Sequence, residues 1–386
     1  MWLNKNKILE ISKKKEIIFW GSGEWVEKTI KLLGKKPKYI IDINSNIQGS
    51  TQRGLKIISP DDINLKNYFV IVTTGSYDSV LKTLQKLNVK NFTLSPVLRN
   101  LHIRTKIMSI DKNILFSVPD IGGGVFIYNT LNKKLDKIFD GKSRAIAKSK
   151  NFIVVADEIK GLIVFDKKLN FIKEIELLPF SFCHGVAISE QLNQIYVANS
   201  GRDSVSIYEL TTFKHIQEIK ISDKFDLTNE EQHHINDLYI DEKTNKLLIS
   251  MFSFSGRWRE NIYDGGVLEY DLNKNILSPY PLIGDLWMPH SITIIENNMF
   301  IIDSMRGDLY KTSNKIIGKF AGFIRGLDYD GEYFYIAQST TRYFDRLENI
   351  SLNIPLNCGI YVFDEKTKAS YLHNFDFENI HSLIII

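Results

Sequence analysis

A repeat of about 40 residues constrains the fold of this chain more than any other feature of its sequence. From about residue 110, short alternating apolar runs recur with turn residues between them. Six of these runs open in the same way: RAIA at Arg144, HGVAI at His184, NDLYI at Asn236, HSITI at His290, RGLDY at Arg325 and HSLII at His381. Strand-rich repeats of this length are typical of β-propellers, so the sequence predicts six blades.

The two ends of the repeat region are incomplete in complementary ways. The last repeat stops after one strand at Ile386, whereas residues 113–139 supply three strands that have no innermost partner. We therefore expect the N- and C-terminal strands to pair in one blade and close the propeller. Such closure would remove the exposed edges that are a liability of all-β arrays.

The first hundred residues follow a different pattern. Apolar runs at residues 16–23, 39–41 and 69–72 alternate with helical spacing at residues 24–33 and 78–87. Alternating strands and helices predict a small Rossmann-like domain with a parallel sheet. The expected fold is thus α/β plus all-β, with a Rossmann-like domain over residues 1–105 and the propeller over residues 106–386.

Ligands of parallel sheets lie beyond the carboxyl ends of the strands, and three residues there are candidates. Gly21 and Gly23 would let the backbone approach a phosphate, and Asp42 would accept a hydrogen bond from a ribose hydroxyl. A full G-x-G-x-x-G pattern would need glycine in place of Val26. The sequence leaves open nucleotide or nucleotide-sugar binding and a purely structural glycine turn.

Two sets of motifs resemble known families. GSGEW, IDIN and GLKIISPDD in residues 14–98 resemble the front domain of bacterial sugar acyltransferases and other glycan-tailoring proteins. That resemblance implies a nucleotide-linked sugar and a role in surface-glycan metabolism. HGVAISEQLNQIYVANSGRDSVSIYE is similar to NHL-type and lactonase-type blades, and WRENIYDGGVLEYD, MPHS, IRGLDYDGEYFYIAQS and CGIYVFD resemble a bacterial propeller family of unknown function.

Equivalent residues of a propeller form a ring around one mouth of its channel. The predicted ring, called here the ring residues, is Arg144, His184, Asn236, His290, Arg325 and His381. Arginine presents a planar fork to anions, so the ring indicates a site for a carboxylate, phosphate or sugar acid. The alternative is that these side chains only cap the channel through water and backbone.

A metal is a further alternative, because three histidines could ligate a divalent cation. They fall in alternate blades, however, and two arginines at the same level would repel the ion. We therefore assign no metal ligands.

Two long connections are expected to overhang the ring. Residues 253–265 carry Trp258, Arg259 and Glu260, and residues 340–357 carry Arg342. The connection before Asn236 brings His234 to the same face. Aromatic stacking and hydrogen bonding to a saccharide are the predicted roles, with loop anchoring as the alternative.

Composition limits the class of protein. Lys and Arg total 49 against 45 Asp and Glu, so the near balance does not indicate nucleic acid as a partner. No apolar run reaches the length of a membrane span, and the two cysteines, Cys183 and Cys358, are expected to be buried thiols. These features favour a cytoplasmic protein.

The resemblance of the first domain, taken with the predicted ring, implies a glycan-tailoring protein that binds a nucleotide-linked sugar and, at the propeller mouth, an anionic saccharide. Other proteins of a glycan pathway are conceivable partners. A metal-dependent hydrolase of the lactonase kind, with Asp157, Asn199 and Asp303 as oxygen ligands, is one alternative, and a non-catalytic binding or scaffold module is another. Whether the protein is an enzyme is left open.

Overall fold

A computed structural model describes residues 2–228, 230–312, 315–341, 343–346 and 354–386, without the side chain of Leu227. The chain forms two compact units, Met1–Lys106 and Ile107–Ile386. None of the helices in these described ranges is both long and apolar enough to cross a membrane. Cys183 and Cys358 are both buried free thiols.

The segment before the repeat region combines helices with short strands. Its helices are α1 Lys5–Ile11, α2 Trp25–Leu33, α3 Tyr77–Lys86 and α4 Arg99–Met108. Its strands are β1 Ile17–Trp20, β2 Ile40–Ile41, β3 Thr51–Gln52, β4 Leu55–Ile58, β5 Phe69–Val72 and β6 Phe92–Leu94. Helix α2 ends where Gly34 adopts a left-handed backbone, a common helix stop that glycine allows without strain.

These strands form one mixed sheet in the order β3-β4-β2-β1-β5-β6. Strands β4, β2, β1, β5 and β6 run parallel, and β3 adds an antiparallel edge. Alternate residues of β1 point to opposite faces. Phe19 packs in a core with Val26 and Leu33 of α2, and Trp20 packs in a second core with Leu84 of α3. The sheet is therefore covered by helices on both faces.

The second unit is built from strands with one short helix, α5 Lys224–Thr228. Its first strands are β7 Asn113–Val118, β8 Gly124–Asn129, β9 Leu135–Asp140, β10 Ser143–Lys148, β11 Phe152–Asp157, β12 Gly161–Asp166, β13 Phe171–Ile175, β14 Cys183–Ser189, β15 Gln194–Asn199, β16 Ser204–Glu209 and β17 His215–Lys220. The remainder are β18 Ile235–Asp241, β19 Lys246–Met251, β20 Gly265–Asp271, β21 Ile276–Leu277, β22 Ile283–Leu286, β23 Pro289–Ile295, β24 Asn298–Asp303, β25 Asp308–Lys311, β26 Lys315–Lys319, β27 Phe323–Tyr329, β28 Phe334–Ser339, β29 Cys358–Phe363, β30 Ser370–Phe375 and β31 Ser382–Ile385.

Within the described residues these strands form six sheets, and the predicted six-bladed β-propeller is confirmed. Five sheets follow chain order from an innermost strand, which is β10, β14, β18, β23 or β27. The sixth has the order β31-β7-β8-β9, with Leu383 opposite Phe116. Each innermost strand contacts the innermost strand of the next sheet, and β10 contacts β31.

A β-bulge recurs in the innermost strands next to the ring residues. The register with the second strand shifts after Ser143, Cys183, Ile235, His290 and Arg325 in the five sheets that follow chain order. A bulge leaves a residue out of the ladder and re-aims its side chain. The repeated irregularity thus places a bulge at or next to five of the six ring residues.

Asp237, which is partly buried, ties two innermost strands together. Its carboxylate accepts hydrogen bonds from the backbone N–H of Leu238 in β18 (2.9 Å) and of Ile292 in β23 (3.2 Å). Burial raises the pKa of Asp237 from 3.8 to about 6, although these backbone donors act in the opposite direction. The folded state therefore holds the proton more tightly than the unfolded state does.

This raised pKa predicts a pH dependence of stability. The contribution of Asp237 is fully present below its ordinary pKa and is lost as the pH rises through about 6. We expect Asp237→Asn, which mimics the neutral carboxyl, to lose less unfolding free energy than the wild type between pH 4.5 and pH 7.5. Urea denaturation at the two pH values measures this difference, and identical losses in both proteins would contradict it.

Candidate functional site

Two of the ring histidines are held in the same way. The Nδ1 of His184 lies 2.8 Å from the carbonyl oxygen of Phe182 and 2.7 Å from the hydroxyl of Ser200. The Nδ1 of His290 lies 2.9 Å from the carbonyl oxygen of Met288 and 2.7 Å from the hydroxyl of Ser304. A carbonyl can only accept, so Nδ1 carries the proton in both rings and Nε2 keeps its lone pair.

The backbone explains why these carbonyls face the imidazoles. Phe182 and Met288, each two residues before a ring histidine, adopt left-handed φ angles of 40° and 55°. His234, two residues before Asn236, does the same with a φ of 52°. Non-glycine residues rarely adopt this conformation and retain it only where the surrounding structure enforces it. This strained conformation thus occurs two residues before a ring residue in three successive blades.

Three ring histidines lie close together in the interior. The ring centroid of His381 is 5.7 Å from that of His184 and 5.8 Å from that of His290. Burial lowers the pKa of all three well below the usual imidazole range, and Arg144 and Arg325 lower it further in His381. At neutral pH these imidazoles are uncharged.

Polar atoms in this cluster lack partners. Both ring nitrogens of His381 are buried and have no hydrogen-bond partner among the described residues. Asn236 Nδ2 lies 3.2 Å from His290 Nε2, which must accept, so the Asn236 Oδ1 points elsewhere. That oxygen is also buried, and the described part of the chain offers it no donor. Leaving such groups unpaired is costly, so the cluster is suited to a polar ligand.

The two ring arginines differ in their surroundings. Arg144 donates from Nε to Glu158 at 2.6 Å, and its Nη2 contacts the same carboxylate oxygen. Much of the charge of Arg144 is therefore balanced, and the pair lines a cavity of about 590 Å³. Arg325 is buried, and its guanidinium lies 4.7 Å above the Phe323 ring. Both arginines raise the local positive potential at His381.

Next to the ring residue His184, Glu231 and His234 form a pair that we call the rim pair. Glu231 Oε1 contacts His234 Nδ1, and the His234 ring lies 4.7 Å from the ring of His184. Although burial opposes ionisation, His234 and Arg259 hold the pKa of Glu231 below its ordinary value. Trp258 packs 5.0 Å from His234 with its indole N–H buried and without a partner among the described residues.

Several predicted loop residues join this arrangement and others do not. Arg259 donates to the Glu231 carbonyl oxygen at 2.7 Å and lies 5.2 Å from the Trp258 ring. Glu260 is instead exposed and accepts from Arg257 at 3.0 Å, so it does not reach the ring. Arg342 lies outside the described residues.

In the first unit, two of the three candidate residues, Gly21 and Asp42, have close local contacts. Gly21 has a φ of 108°, and a side chain there would come within 2.6 Å of the Thr74 Cβ. Asp42 accepts hydrogen bonds from the backbone N–H (3.0 Å) and hydroxyl (2.6 Å) of Ser22. Gly23 has open space around it. Asp42 thus already has a partner at the position where a ribose hydroxyl was expected.

No group of three or more His, Cys, Asp or Glu side chains suited to a metal is found in the described residues. Of the three residues considered for the lactonase alternative, the two aspartates have carboxylates that accept structural hydrogen bonds. Asp157 accepts from the backbone N–H groups of Ile159 and Lys160, both at 3.0 Å. Asp303 accepts from the backbone N–H of Trp287 at 3.1 Å. Asn199 donates from Nδ2 to Ser206 at 2.7 Å, whereas its Oδ1 is buried and has no partner among the described residues.

The profile of a family described as a domain of unknown function (DUF4915) matches residues 181–384, more than half of the 386 residues. The chain belongs to this family. The matched segment contains every ring residue except Arg144. No curated protein matches the sequence.

Solved structures share the fold of this DUF4915 chain. A protein of unknown function from Bacteroides caccae is 15% identical with a TM-score of 0.52, and the alignment covers 72% of this chain and 99% of that one. A chain of a nidogen/laminin complex is 10% identical with a TM-score of 0.52, and the alignment covers 71% of this chain and 98% of that one. At these identities the likeness shows the propeller fold alone.

Sequence reasoning missed the residues that orient the ring of this DUF4915 propeller. Glu158, Ser200 and Ser304 each follow the last residue of a second strand and contact the ring residue of the same blade. Because all three occupy the same position in the repeat, an alignment of the repeats could have identified them. Glu231 gave no such signal, because its contact with His234 depends on the left-handed backbone of His234.

Proposed function

We propose that the propeller unit binds a hydroxylated anion, the anionic saccharide predicted from sequence, at the ring residues. The observation that carries the proposal is the buried His381 imidazole, whose two nitrogens find no partner in the described parts of the chain. His184 and His290 flank it within 6 Å, at 5.7 and 5.8 Å. A ligand between them would satisfy groups that the protein itself leaves unpaired.

The chemistry of the unpaired atoms favours hydroxyl groups on the ligand. A neutral imidazole offers one N–H donor and one acceptor nitrogen, and the Asn236 Oδ1 adds a second acceptor. A simple carboxylate has only acceptors and could satisfy the donor alone. A ligand that carries both a carboxylate and hydroxyls could satisfy all three atoms.

The charge of the site favours an anion. Arg325 and Arg144 both act electrostatically on His381, and burial keeps the three histidines uncharged. Arg325 acts on His381 more strongly than Arg144 does, so we propose Arg325 as the contact for a carboxylate. Hydrogen bonds to charged groups are stronger than neutral ones in such an environment.

Calorimetric titration of the full chain with glycolate, the smallest hydroxylated carboxylate, and with glucuronate tests this proposal. Arg325→Ala should weaken both ligands by about 1.5 to 3 kcal/mol, because a charged hydrogen bond is lost. His381→Ala should weaken both as well. His215→Ala, which removes an exposed histidine on the outer strand β17, is the matched control. Unchanged affinity in both ring variants would refute an anion site at the ring.

For the first unit, we propose a Rossmann-like domain that binds a nucleotide-linked sugar. The parallel order β4-β2-β1-β5-β6, with helices on both faces, supports the fold class. The open space at Gly23 supports backbone approach to a phosphate, whereas the bond between Asp42 and Ser22 argues against a ribose contact by Asp42. The glycan-tailoring role joins these two binding proposals.

A further inference from the structure

A second concave site lies beside the ring, at the loop that leads into β14. Its cavity has a volume of about 450 Å³ and is lined by Phe180, Phe182, Phe225, Glu230, Glu231 and Arg259. Cavities of this size hold small organic ligands. Because Glu231 belongs to the rim pair and Phe182 bonds to His184, the cavity adjoins the ring residues directly.

Two phenylalanines of this cavity are unusual in both exposure and backbone. Phe180 is 61% exposed and Phe182 is 58% exposed. Both have left-handed φ angles, 61° for Phe180 and 40° for Phe182. Bulky residues are rarely found in this conformation, and exposed rings gain little from burial in return. Phe180 and Phe182 therefore have strained backbones although their aromatic rings remain exposed to solvent.

The equivalent residue in another blade shows that the backbone alone does not require this exposure. Met288 also has a left-handed φ, and its carbonyl serves His290 as that of Phe182 serves His184. Met288, however, is fully buried in the apolar cluster over the ring. An exposed aromatic ring at Phe182 is thus a separate feature of this blade.

Gly201 holds the Phe182 ring in place. A Cβ at Gly201 would lie 2.2 Å from Phe182 Cδ2 and 2.3 Å from the Phe180 carbonyl oxygen. Only glycine lets the ring lie against this backbone. One face of the Phe182 ring is therefore fixed by packing against Gly201, while its other face remains exposed.

We infer that the cavity of Phe180 and Phe182 is a subsite for a pyranose ring of the ligand whose carboxylate binds at the ring residues. The inference rests on the proposed function. The C–H face of a sugar stacks on an aromatic ring, and charged side chains at its edge bind the hydroxyls. Arg259 and Glu230 supply that polar edge. The inference thus adds a subsite for the pyranose ring to the proposed anion site.

The experiment compares methyl glucuronide, which has a pyranose ring, with glycolate, which has none. We expect Phe182→Ala to weaken methyl glucuronide about three- to tenfold more than it weakens glycolate, since only methyl glucuronide loses an aromatic contact. Gly201→Ala should have the same effect by displacing the ring. Phe171→Ala, which removes a phenylalanine of similar exposure (55%) on β13, is the matched control.

Saturation-transfer NMR gives a second readout. Transfer from aromatic protons to the C–H protons of methyl glucuronide should be present in the wild type and lost in Phe182→Ala. If both Phe182→Ala and Gly201→Ala bind methyl glucuronide as tightly as the wild type does, the subsite is overturned. Binding of glycolate to the wild type would still support the proposed function. If the wild type binds neither methyl glucuronide nor glycolate, the subsite and the proposed function are both overturned.

Discussion

Phe116→Ala should destabilise the propeller by about 3 to 5 kcal/mol, the usual cost of removing a large buried aromatic ring. Phe116 is fully buried in β7, and its ring lies 5.6 Å from that of Phe126 and 5.2 Å from that of Phe375. Its backbone lies opposite Leu383 in β31. The substitution would open a cavity between the sheet of β31 and the sheet of β30.

Urea denaturation followed by hydrogen exchange of peptides from residues 107–386 measures this change in the propeller unit alone. Phe116→Leu, which retains most of the volume, should recover much of the loss. Because β31 directly follows His381, the destabilised protein should also bind glycolate more weakly. A change below 1 kcal/mol in Phe116→Ala would show that the strands on either side collapse without cost.

The repeat made the ring residues predictable because a propeller converts equal spacing along the chain into equivalent positions in space. Arg144, His184 and His290 indeed occupy the same place, beside a bulge of the innermost strand. Their residue types led to the prediction of an anion site, which stays a prediction. The alternation of apolar residues and the period of the repeat were sufficient to predict the positions of the ring residues.

The partners of the ring residues depend on features that alternation does not encode. A left-handed backbone is uncommon for bulky residues such as Phe182 and Met288, and it is a minority conformation even for His234, so no local rule predicts it. That conformation nevertheless directs the carbonyls toward His184 and His290 and brings His234 to Glu231. In the same way, Glu260 was a reasonable candidate by position, but its short turn directs it to Arg257.

The segment that carries the rim pair is held by one buried carboxylate. Asp203 is fully buried, and it accepts hydrogen bonds from the backbone N–H of Gln232 (2.9 Å) and of His233 (3.0 Å). Burial raises the pKa of Asp203, and the two backbone donors partly offset that effect. These bonds fix the backbone immediately before His234.

Asp203→Ala should therefore destabilise the propeller by about 2 to 4 kcal/mol, because each buried N–H left without an acceptor costs roughly 1 to 3 kcal/mol. The same exchange-detected denaturation measures the loss. Asp241→Ala is the matched control, since Asp241 also accepts a backbone N–H, that of Lys243 at 3.1 Å, but at an exposed turn where water can replace it.

The two variants separate the effect of burial from that of the hydrogen bond itself. If Asp203→Ala and Asp241→Ala cost the same, the Asp203 carboxylate does not hold the rim segment as we argue. If Asp203→Ala alone is destabilising, His234 should also lose its contact with Glu231, because the backbone before it is released. Binding of methyl glucuronide should then fall more than binding of glycolate, since Glu231 lines the cavity of Phe180 and Phe182.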